Sequence, residues 1–460
     1  MNDVTAQSLE DIAAAIRGKQ LSPVELTTAV LATMDAQDPV LNAYISTDPA
    51  AALDQARIAE QAIMAEQYVG PLHGIPMGIK DNFFVENHTT TMGSKIHAHF
   101  APEYSATAVT RLRAAGVVQL GKHNLHEYAL GVTTENPHYG NTLNPWDNNK
   151  VAGGSSGGAG AAIAAGMSIG SIGSDTSGSI RIPAACCGIV GLKPTYGRIS
   201  KHGCYPEAWT LDTVGPMART VTDAALILDA ISGYDSQDPT SLKLAPTQIA
   251  TKLTRDVNGL RIGINEDFFF ADVDDSIAEN TYQTISALED LGATVVPINI
   301  PYIHDAEYAL TMIDTAEATT VHHRTLAQQP DDYGDDVRFL LKCGVLVSAI
   351  DYLEAQQIRS LLQHSFTQTF DEVDILMAPT LPIETPMLGQ PESLLNGTIT
   401  DTEDALMRLV GPANLLGLPA MSVPNGFVDN MPVGIQIIGP PLGEQKVLNT
   451  GLAVENLFAQ

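Results

Sequence analysis

Apolar positions along the chain change between a helical spacing and short continuous runs, and this change predicts alternating helices and strands. Residues 22–25 form a capping box with proline at the first helical position, and apolar residues follow at helical spacing: Leu26, Val30, Leu31 and Met34. From residue 74 onward, apolar runs such as GIPMGIK and VVQLGK alternate with helical stretches. Two of these stretches are SATAVTRLRAAG, with Ser105 as its expected cap, and TVTDAALILDAIS, with Thr220 as its expected cap. The alternation is typical of an α/β fold.

The alternation resumes after a Gly- and Ser-rich middle at residues 153–179. Strand-like runs recur in IVGLKPT, LRIGIN and ATVVPI, and near the end in DILMAPT, AMSVPN and VGIQIIG. Residues 304–371 are predicted to be mostly helical, and a last helix is expected from about residue 444. Because strands occur in both halves of the chain, we expect one sheet to which both halves contribute.

The charge of the chain argues against several classes of partner. A net charge of -29, from 53 acidic and 24 basic residues, would repel phosphate backbones and anionic membrane surfaces. We therefore expect neither a nucleic acid nor a membrane as a partner, and we interpret the charge as a solvated acidic surface. Residues 151–174 are uncharged over 24 positions, but 13 of these are Gly or Ser, so no membrane span is predicted there.

The cysteines and the N-terminal sequence indicate the cellular compartment of the protein. Four cysteines in 460 residues do not make a disulfide framework, which favours a reducing environment. The segment MNDVTAQSLEDIAAAIRGKQ lacks the basic and apolar regions of a secretory signal. We expect a cytoplasmic protein, either a monomer or a homodimer.

Three polar residues stand in settings that suit acyl transfer. Lys80 closes the apolar run GIPMGIK, where burial would lower the pKa of its amine and let it act as a base. Ser155 lies in GGSSGG, a glycine-lined turn that leads into an Ala-rich helix. Ser179 ends SDTSGS, whose consecutive backbone N–H groups could stabilise an oxyanion. Each residue alone has a simpler explanation, as a surface lysine, a flexible loop or a helix cap.

These segments resemble the amidase signature family. The resemblance is carried by GIPMGIKDN, GGSSGGAG, GSDTSGSIRIPAACCGIVGLKPTYGRIS and LDTVGPMARTVTDAALIL, within a core of about residues 70–235, and by ILMAPTLP and PANLLGLPAMSVPNGF later in the chain. It implies one α/β domain over residues 1–460, with a mixed, mostly parallel, twisted central sheet covered by helices on both faces. Residues 304–371 would be a helical insert, after which the C-terminal strands rejoin the sheet.

The resemblance also implies a Ser-Ser-Lys triad. Lys80 corresponds to the catalytic lysine, Ser155 to the bridging serine after an unusual cis peptide bond, and Ser179 to the acylated nucleophile. This assignment agrees with the chemistry expected of each setting.

The loop before the nucleophile is implied to form the oxyanion hole. Its donors would be the backbone N–H groups of Thr176, Ser177, Gly178 and Ser179. Asp175 and Arg181 match positions that organise this loop, although an ordinary ion pair would explain them equally well. Ser177 departs from the family pattern, in which glycine is most frequent, and its side chain would change the shape of the pocket.

Two functions remain open at this point. The first is a free-standing hydrolase of small amides, carbamates (urethanes) or ureas; the second is the glutaminase A-subunit of a tRNA-dependent amidotransferase, which the chain also resembles. His126 stands where those subunits usually carry Asp, and residues 334–365 lack a clear match to their glutamine-binding Arg motif. Both differences favour the free-standing amidase.

Neither a metal nor another cofactor is predicted. The segment HNLHE at residues 123–127 does not fit the order of a zinc-binding helix, and no nucleotide phosphate loop is found. Tyr205 and Trp209, in KHGCYPEAW, are candidates for an apolar wall of the substrate pocket, although aromatic residues are equally common in a core.

Overall fold

Helices and strands alternate along the computed structural model, which describes residues 4–395 and 397–458. The α-helices are α1 Leu9–Arg17, α2 Pro23–Leu41, α3 Pro49–Met64, α4 Thr107–Ala114, α5 Gly157–Ala164, α6 Arg181–Cys187, α7 Val221–Ile231, α8 Asp275–Asp290, α9 Ala306–Gln328, α10 Asp335–Gly344, α11 Ala349–Glu372, α12 Thr402–Arg408, α13 Gly411–Leu415 and α14 Glu444–Phe458. The strands are β1 Tyr44–Thr47, β2 Pro76–Lys80, β3 Val118–His123, β4 Gly170–Asp175, β5 Val190–Lys193, β6 Thr213–Ala218, β7 Arg261–Ile264, β8 Thr294–Pro297, β9 Ile375–Pro379, β10 Glu392–Leu395, β11 Thr398–Asp401, β12 Ala420–Val428 and β13 Met431–Ile438.

Local sequence signals decide where several helices begin. The Ser22 hydroxyl caps α2, and the Glu25 carboxylate accepts the N–H of Ser22 in return, so the predicted capping box is formed. Thr220 caps α7 through a hydrogen bond from the N–H of Asp223. Ser105 was expected to cap α4, but that helix begins two residues later, and the Ser105 hydroxyl accepts a backbone N–H from a neighbouring loop instead.

Both halves of the chain build one large sheet, as predicted. Its strand order is β1-β3-β2-β4-β6-β5-β12-β13-β9-β7-β8, while β10 and β11 form a separate hairpin. One hydrophobic core runs under the sheet and includes residues as far apart in sequence as Leu9 and Val454. Together with the helices that flank the sheet, this arrangement confirms a single α/β domain.

The sheet is mixed, as expected, with its parallel pairs at the two flanks. The pairs β3–β2, β2–β4, β9–β7 and β7–β8 are parallel, whereas the other neighbouring pairs in the described sheet are antiparallel. Antiparallel pairing is therefore more extensive than the mostly parallel sheet that we expected. At β12–β13 the reason is local, because Asp429 and Asn430 both have positive φ and close a two-residue hairpin without a crossover helix.

The parallel pairing of β2 with β4 determines where the candidate catalytic residues lie. Parallel neighbours end at the same edge of a sheet, so Lys80, the last residue of β2, adjoins the loop that follows Asp175 at the end of β4. Helix α5, which follows the GGSSGG segment, packs against both strands. Three segments distant in sequence therefore meet at one edge.

The region from 304 to 371 is helical in the structure. It is formed by α9, α10 and α11, of which α9 contacts both others. None of the helices in the described ranges is long and apolar enough to cross a membrane.

Candidate active site

Lys80 and Ser155 are in direct contact in the interior of the molecule. The Nζ of Lys80 lies 2.8 Å from the Oγ of Ser155 and 2.9 Å from the Oγ of Ser174, and the Lys80 and Ser155 side chains are fully buried. The peptide bond between Gly154 and Ser155 is cis, as the family resemblance implies. Ser174 was not singled out from the sequence, because a serine within a strand carries no distinguishing pattern.

The surroundings of Lys80 favour its neutral form. Burial lowers the pKa of Lys80 to about 8, although the negative charges of Asp175 and Asp212 act in the opposite direction. A neutral amine has two hydrogens and one lone pair. If both hydrogens are donated to the hydroxyl and the carbonyl oxygens of Ser174, the lone pair is free to accept the proton of Ser155.

Ser179 presents an unengaged hydroxyl close to this pair. Its Oγ is buried and has no hydrogen-bond partner within the described part of the chain. Its segment is tied to the Ser155 turn by a hydrogen bond from the N–H of Ser156 to the carbonyl of Ser179, with a distance of 3.3 Å. A buried hydroxyl without a partner costs free energy, which is consistent with a group held ready for a substrate.

The predicted oxyanion loop has one donor fewer than expected. The N–H of Gly178 donates to Oδ1 of Asp175 at 2.9 Å, so this group is already used within the loop. Thr176, Ser177 and Ser179 are left as the predicted donors. Gly178 has φ +116°, and a side chain at that position would contact Val410, whereas Ser177 is not among the described residues with positive φ. The departure from glycine at position 177 therefore places no strain on the backbone.

Asp175 and Arg181 form a buried pair that holds the loop. Burial opposes ionisation of Asp175, but the charge and hydrogen bonds of Arg181 overcome this effect and lower its pKa. The Arg181 guanidinium also donates to the side-chain oxygens of Asn414 and Gln436. Both partners come from the C-terminal half and were not predicted, although Asn414 lies in the segment PANLLGLPA that carries the resemblance.

A cavity of about 630 Å³ reaches the oxyanion loop at Ser177. It lies between helices α9, α10 and α12 and loop residues 130–135. Helix α10 contributes Phe339 and Leu340 to its wall. Because the cavity ends two residues from Ser179 in sequence, it is the candidate substrate site.

Tyr205 and Trp209 do not line this cavity. Tyr205 packs in a ring cluster with Tyr128, His97 and His322, at centroid distances of 5.5 to 5.9 Å. Trp209 is about half exposed, and the Nζ of Lys201 lies 4.8 Å from the centroid of its ring. The lining of this cavity therefore does not support the sequence-based assignment of either residue to the substrate pocket, which stays a prediction.

Carboxyl groups surround the other side of the oxyanion loop. The Thr176 hydroxyl lies 2.8 Å from both Oε2 of Glu207 and Oδ1 of Asp212. One hydroxyl has one hydrogen, so it can donate to only one of them, and the other carboxyl must be the donor. Asp212 also accepts the N–H groups of Glu207 and Ala208, which favour its ionised form. The geometry therefore assigns the proton to Glu207, and burial raises the pKa of this group well above its usual range.

Comparison with known proteins agrees with this geometry. The family model described as Amidase matches residues 25–448. The A-subunit of the glutamyl-tRNA(Gln) amidotransferase of Chloroflexus aggregans is 40% identical over 466 residues, covering 96% of this chain and 94% of that protein. The corresponding protein of Heliobacterium modesticaldum is 36% identical, covering 98% of this chain and 96% of that protein.

Solved structures share the whole fold. A chain from a structure described as a vestigial protein complex that reveals the evolutionary origins of an s-triazine catabolic enzyme has a TM-score of 0.94 at 34% identity. The alignment covers 98% of this chain and 99% of that one. A bacterial aryl acylamidase of the amidase signature family has a TM-score of 0.90 at 28% identity, covering 99% and 96% of the two chains.

Proposed function

Because the chain belongs to the amidase signature family, we propose that it hydrolyses the carbon–nitrogen bond of small amides through an acyl-enzyme on Ser179. The proposal rests first on the buried Lys80–Ser155 contact beside the unengaged hydroxyl of Ser179. Carbamates and ureas have the same carbonyl–nitrogen bond and belong to the panel of candidate substrates.

The proposed proton path uses these three side chains in order. Neutral Lys80 accepts the Ser155 proton, Ser155 takes the Ser179 proton, and the Ser179 oxygen attacks the substrate carbonyl. Backbone N–H groups of the loop stabilise the resulting oxyanion. Collapse of the intermediate breaks the carbon–nitrogen bond, and the leaving nitrogen receives the proton from Lys80 by way of Ser155. Water then hydrolyses the acyl-enzyme.

The charge of the cavity favours an amide without a carboxylate group. Eight of the lining residues are Asp or Glu, whereas Arg408 is the only Lys or Arg among them. The two terminal nitrogens of Arg408 donate to backbone carbonyls of residues 268–272, and His126 is paired with Asp336 at 2.9 Å. Recognition of a carboxylate depends on cationic donors, which are already engaged here.

A second candidate is the glutaminase component of a tRNA-dependent amidotransferase. Identity of 40% over nearly the whole chain to such proteins favours it. Glutamine carries an α-ammonium group that the acidic cavity would attract, but also an α-carboxylate that the cavity would repel. We therefore place the free-standing amidase first.

An assay of the purified protein distinguishes between the two candidate functions. Ammonia release is measured with glutamine and with carboxylate-free amides, and Ser179→Ala serves as the inactive control. We expect turnover of carboxylate-free amides and little release from glutamine. Efficient release from glutamine, together with inert simple amides, would favour the amidotransferase component.

Labelling by a fluorophosphonate, followed by peptide mass analysis, should locate the adduct on Ser179; an adduct confined to another serine would contradict the mechanism.

A further inference from the structure

Two carboxyl side chains of the cavity, Glu207 and Asp314, form no ion pair with a described residue. Glu207 is only 4% exposed, and the hydrogen bond found at its side chain joins Oε2 to Thr176. Asp314, on α9, has a buried Oδ1 without a hydrogen-bond partner. Both side chains line the cavity together with Ser177. Two carboxyl groups therefore lie in the wall of the candidate substrate site beside the oxyanion loop.

Burial disfavours the charged form of both groups. Burial raises the pKa of Glu207, and the negative charges of Asp314 and Asp212 add to this effect. Burial also raises the pKa of Asp314 to about 7. A solvated acidic surface does not explain them, because solubility depends on exposed charges. Since Glu207 holds a proton, Asp314 is the group whose charge lacks a partner, and an unpaired charge at a poorly solvated position costs free energy.

We propose that the substrate is a small amide with a primary ammonium group, and that this ammonium binds at Glu207 and Asp314 while the amide carbonyl reaches Ser179. The inference rests on the proposed amidase activity, and it adds the class of substrate. It uses residues that no part of the Ser-Ser-Lys mechanism requires.

An ammonium group matches the acceptors that the cavity offers. It carries three N–H donors, and the Glu207 carboxyl, the Asp314 carboxyl and the Ser177 hydroxyl offer acceptors on the lining. Charge-assisted hydrogen bonds of this type are stronger than those between neutral groups. The eight acidic side chains of the lining would also attract a cation over a longer range.

Ligand binding to a variant without turnover tests the inference. Titration calorimetry on Ser179→Ala at about pH 8 compares three pairs of equal length: β-alaninamide with butanamide, 4-aminobutanamide with pentanamide, and 6-aminohexanamide with heptanamide. Alkylammonium groups are charged at this pH. We expect at least one ammonium amide to bind about tenfold more tightly than its alkanamide, the gain expected from one charge-assisted hydrogen bond.

Substitution of the two carboxyl groups tests whether the preference for ammonium amides arises at this site. Asp314→Asn should remove most of the preference while leaving alkanamide affinity within about twofold, whereas Glu207→Gln, in a second protein, keeps a neutral side chain with an acceptor oxygen and should retain the preference. Asp290→Asn, at an exposed position outside the cavity, should keep the preference. Equal affinity within all three pairs, or a preference that survives Asp314→Asn, overturns the inference. Turnover by the unmodified protein tests the amidase activity separately, so the two failures are distinguishable.

Discussion

The Nζ of Lys80 and the Oγ of Ser155 lie 2.8 Å apart, and both side chains are fully excluded from solvent. In water an amine at this distance from a hydroxyl would be protonated and would act only as a donor. Here burial lowers the pKa of the amine to about 8, so that an appreciable fraction can accept a proton near neutral pH. The contact is therefore suited to general-base chemistry.

Replacement of Lys80 by methionine should abolish most of the activity and leave the fold intact. Methionine occupies a similar volume and removes the base, so we expect kcat to fall by at least about 100-fold. Lys342→Met, on the exposed surface of α10, is the matched control and should keep normal turnover. The measurement is amide hydrolysis together with a thermal unfolding curve. Near-normal kcat in a folded Lys80→Met protein would show that another group is the base.

The rate should depend on pH through the ionisation of Lys80. Protonated Lys80 cannot accept a proton, so kcat/KM for an uncharged amide should rise with pH and level off above about 8. An uncharged substrate is needed because its own ionisation would otherwise contribute to the profile. A rate that is independent of pH between about 6 and 9 would argue against a lysine with a lowered pKa.

Substitution of Gly178 by alanine should damage the oxyanion loop more than substitution of its neighbour. The backbone at Gly178 has φ +116°, and a Cβ there would lie 2.4 Å from a methyl carbon of Val410. We expect kcat to fall about 100-fold or more, as for the loss of an oxyanion donor. Ser177→Ala is the matched control, because position 177 already carries a side chain. Equal kcat for the two variants would contradict this role of the loop.

Loss of the Arg181 guanidinium should destabilise the whole protein. Arg181→Met would leave the buried Asp175 carboxylate without its cation, at a cost of about 3–5 kcal/mol in the free energy of unfolding. Arg57→Met removes an exposed ion pair with Asp54 and should cost less than about 1 kcal/mol. Denaturant unfolding followed by circular dichroism measures both values. A similar small loss for both variants would mean that the buried pair contributes little.

Much of the fold followed from local patterns in the sequence. The capping box at Ser22 and the cap at Thr220 were predicted correctly because their signals lie within a few residues. The strands β2, β9 and β13 were recognised from their apolar runs. Strand β4 was missed, since Gly and Ser supply most of its residues and its fully buried environment comes from the surrounding sheet and helices.

The candidate site was predicted only in part. Lys80, Ser155 and Ser179 were singled out because each stands in a short segment with a distinctive pattern, and their catalytic roles stay a prediction. The hydrogen bond from Gly178 to Asp175 was not foreseen, and it removes one of the expected oxyanion donors. Tyr205 was assigned to the pocket from its residue type, although its actual neighbours are other rings.

The sequence by itself determined the α/β class and the family resemblance, because spacing along the chain encodes them, and it predicted the triad. Only the tertiary structure decided what surrounds the triad. Glu207 and Asp314 lie in unrelated segments, and folding alone brings both to one cavity beside Ser177. Their effect depends on burial, which raises the pKa of a carboxyl group and makes an unpaired one unfavourable. Burial of this kind cannot be predicted from a local sequence pattern. The charge of the candidate substrate site could therefore be inferred only from the folded chain.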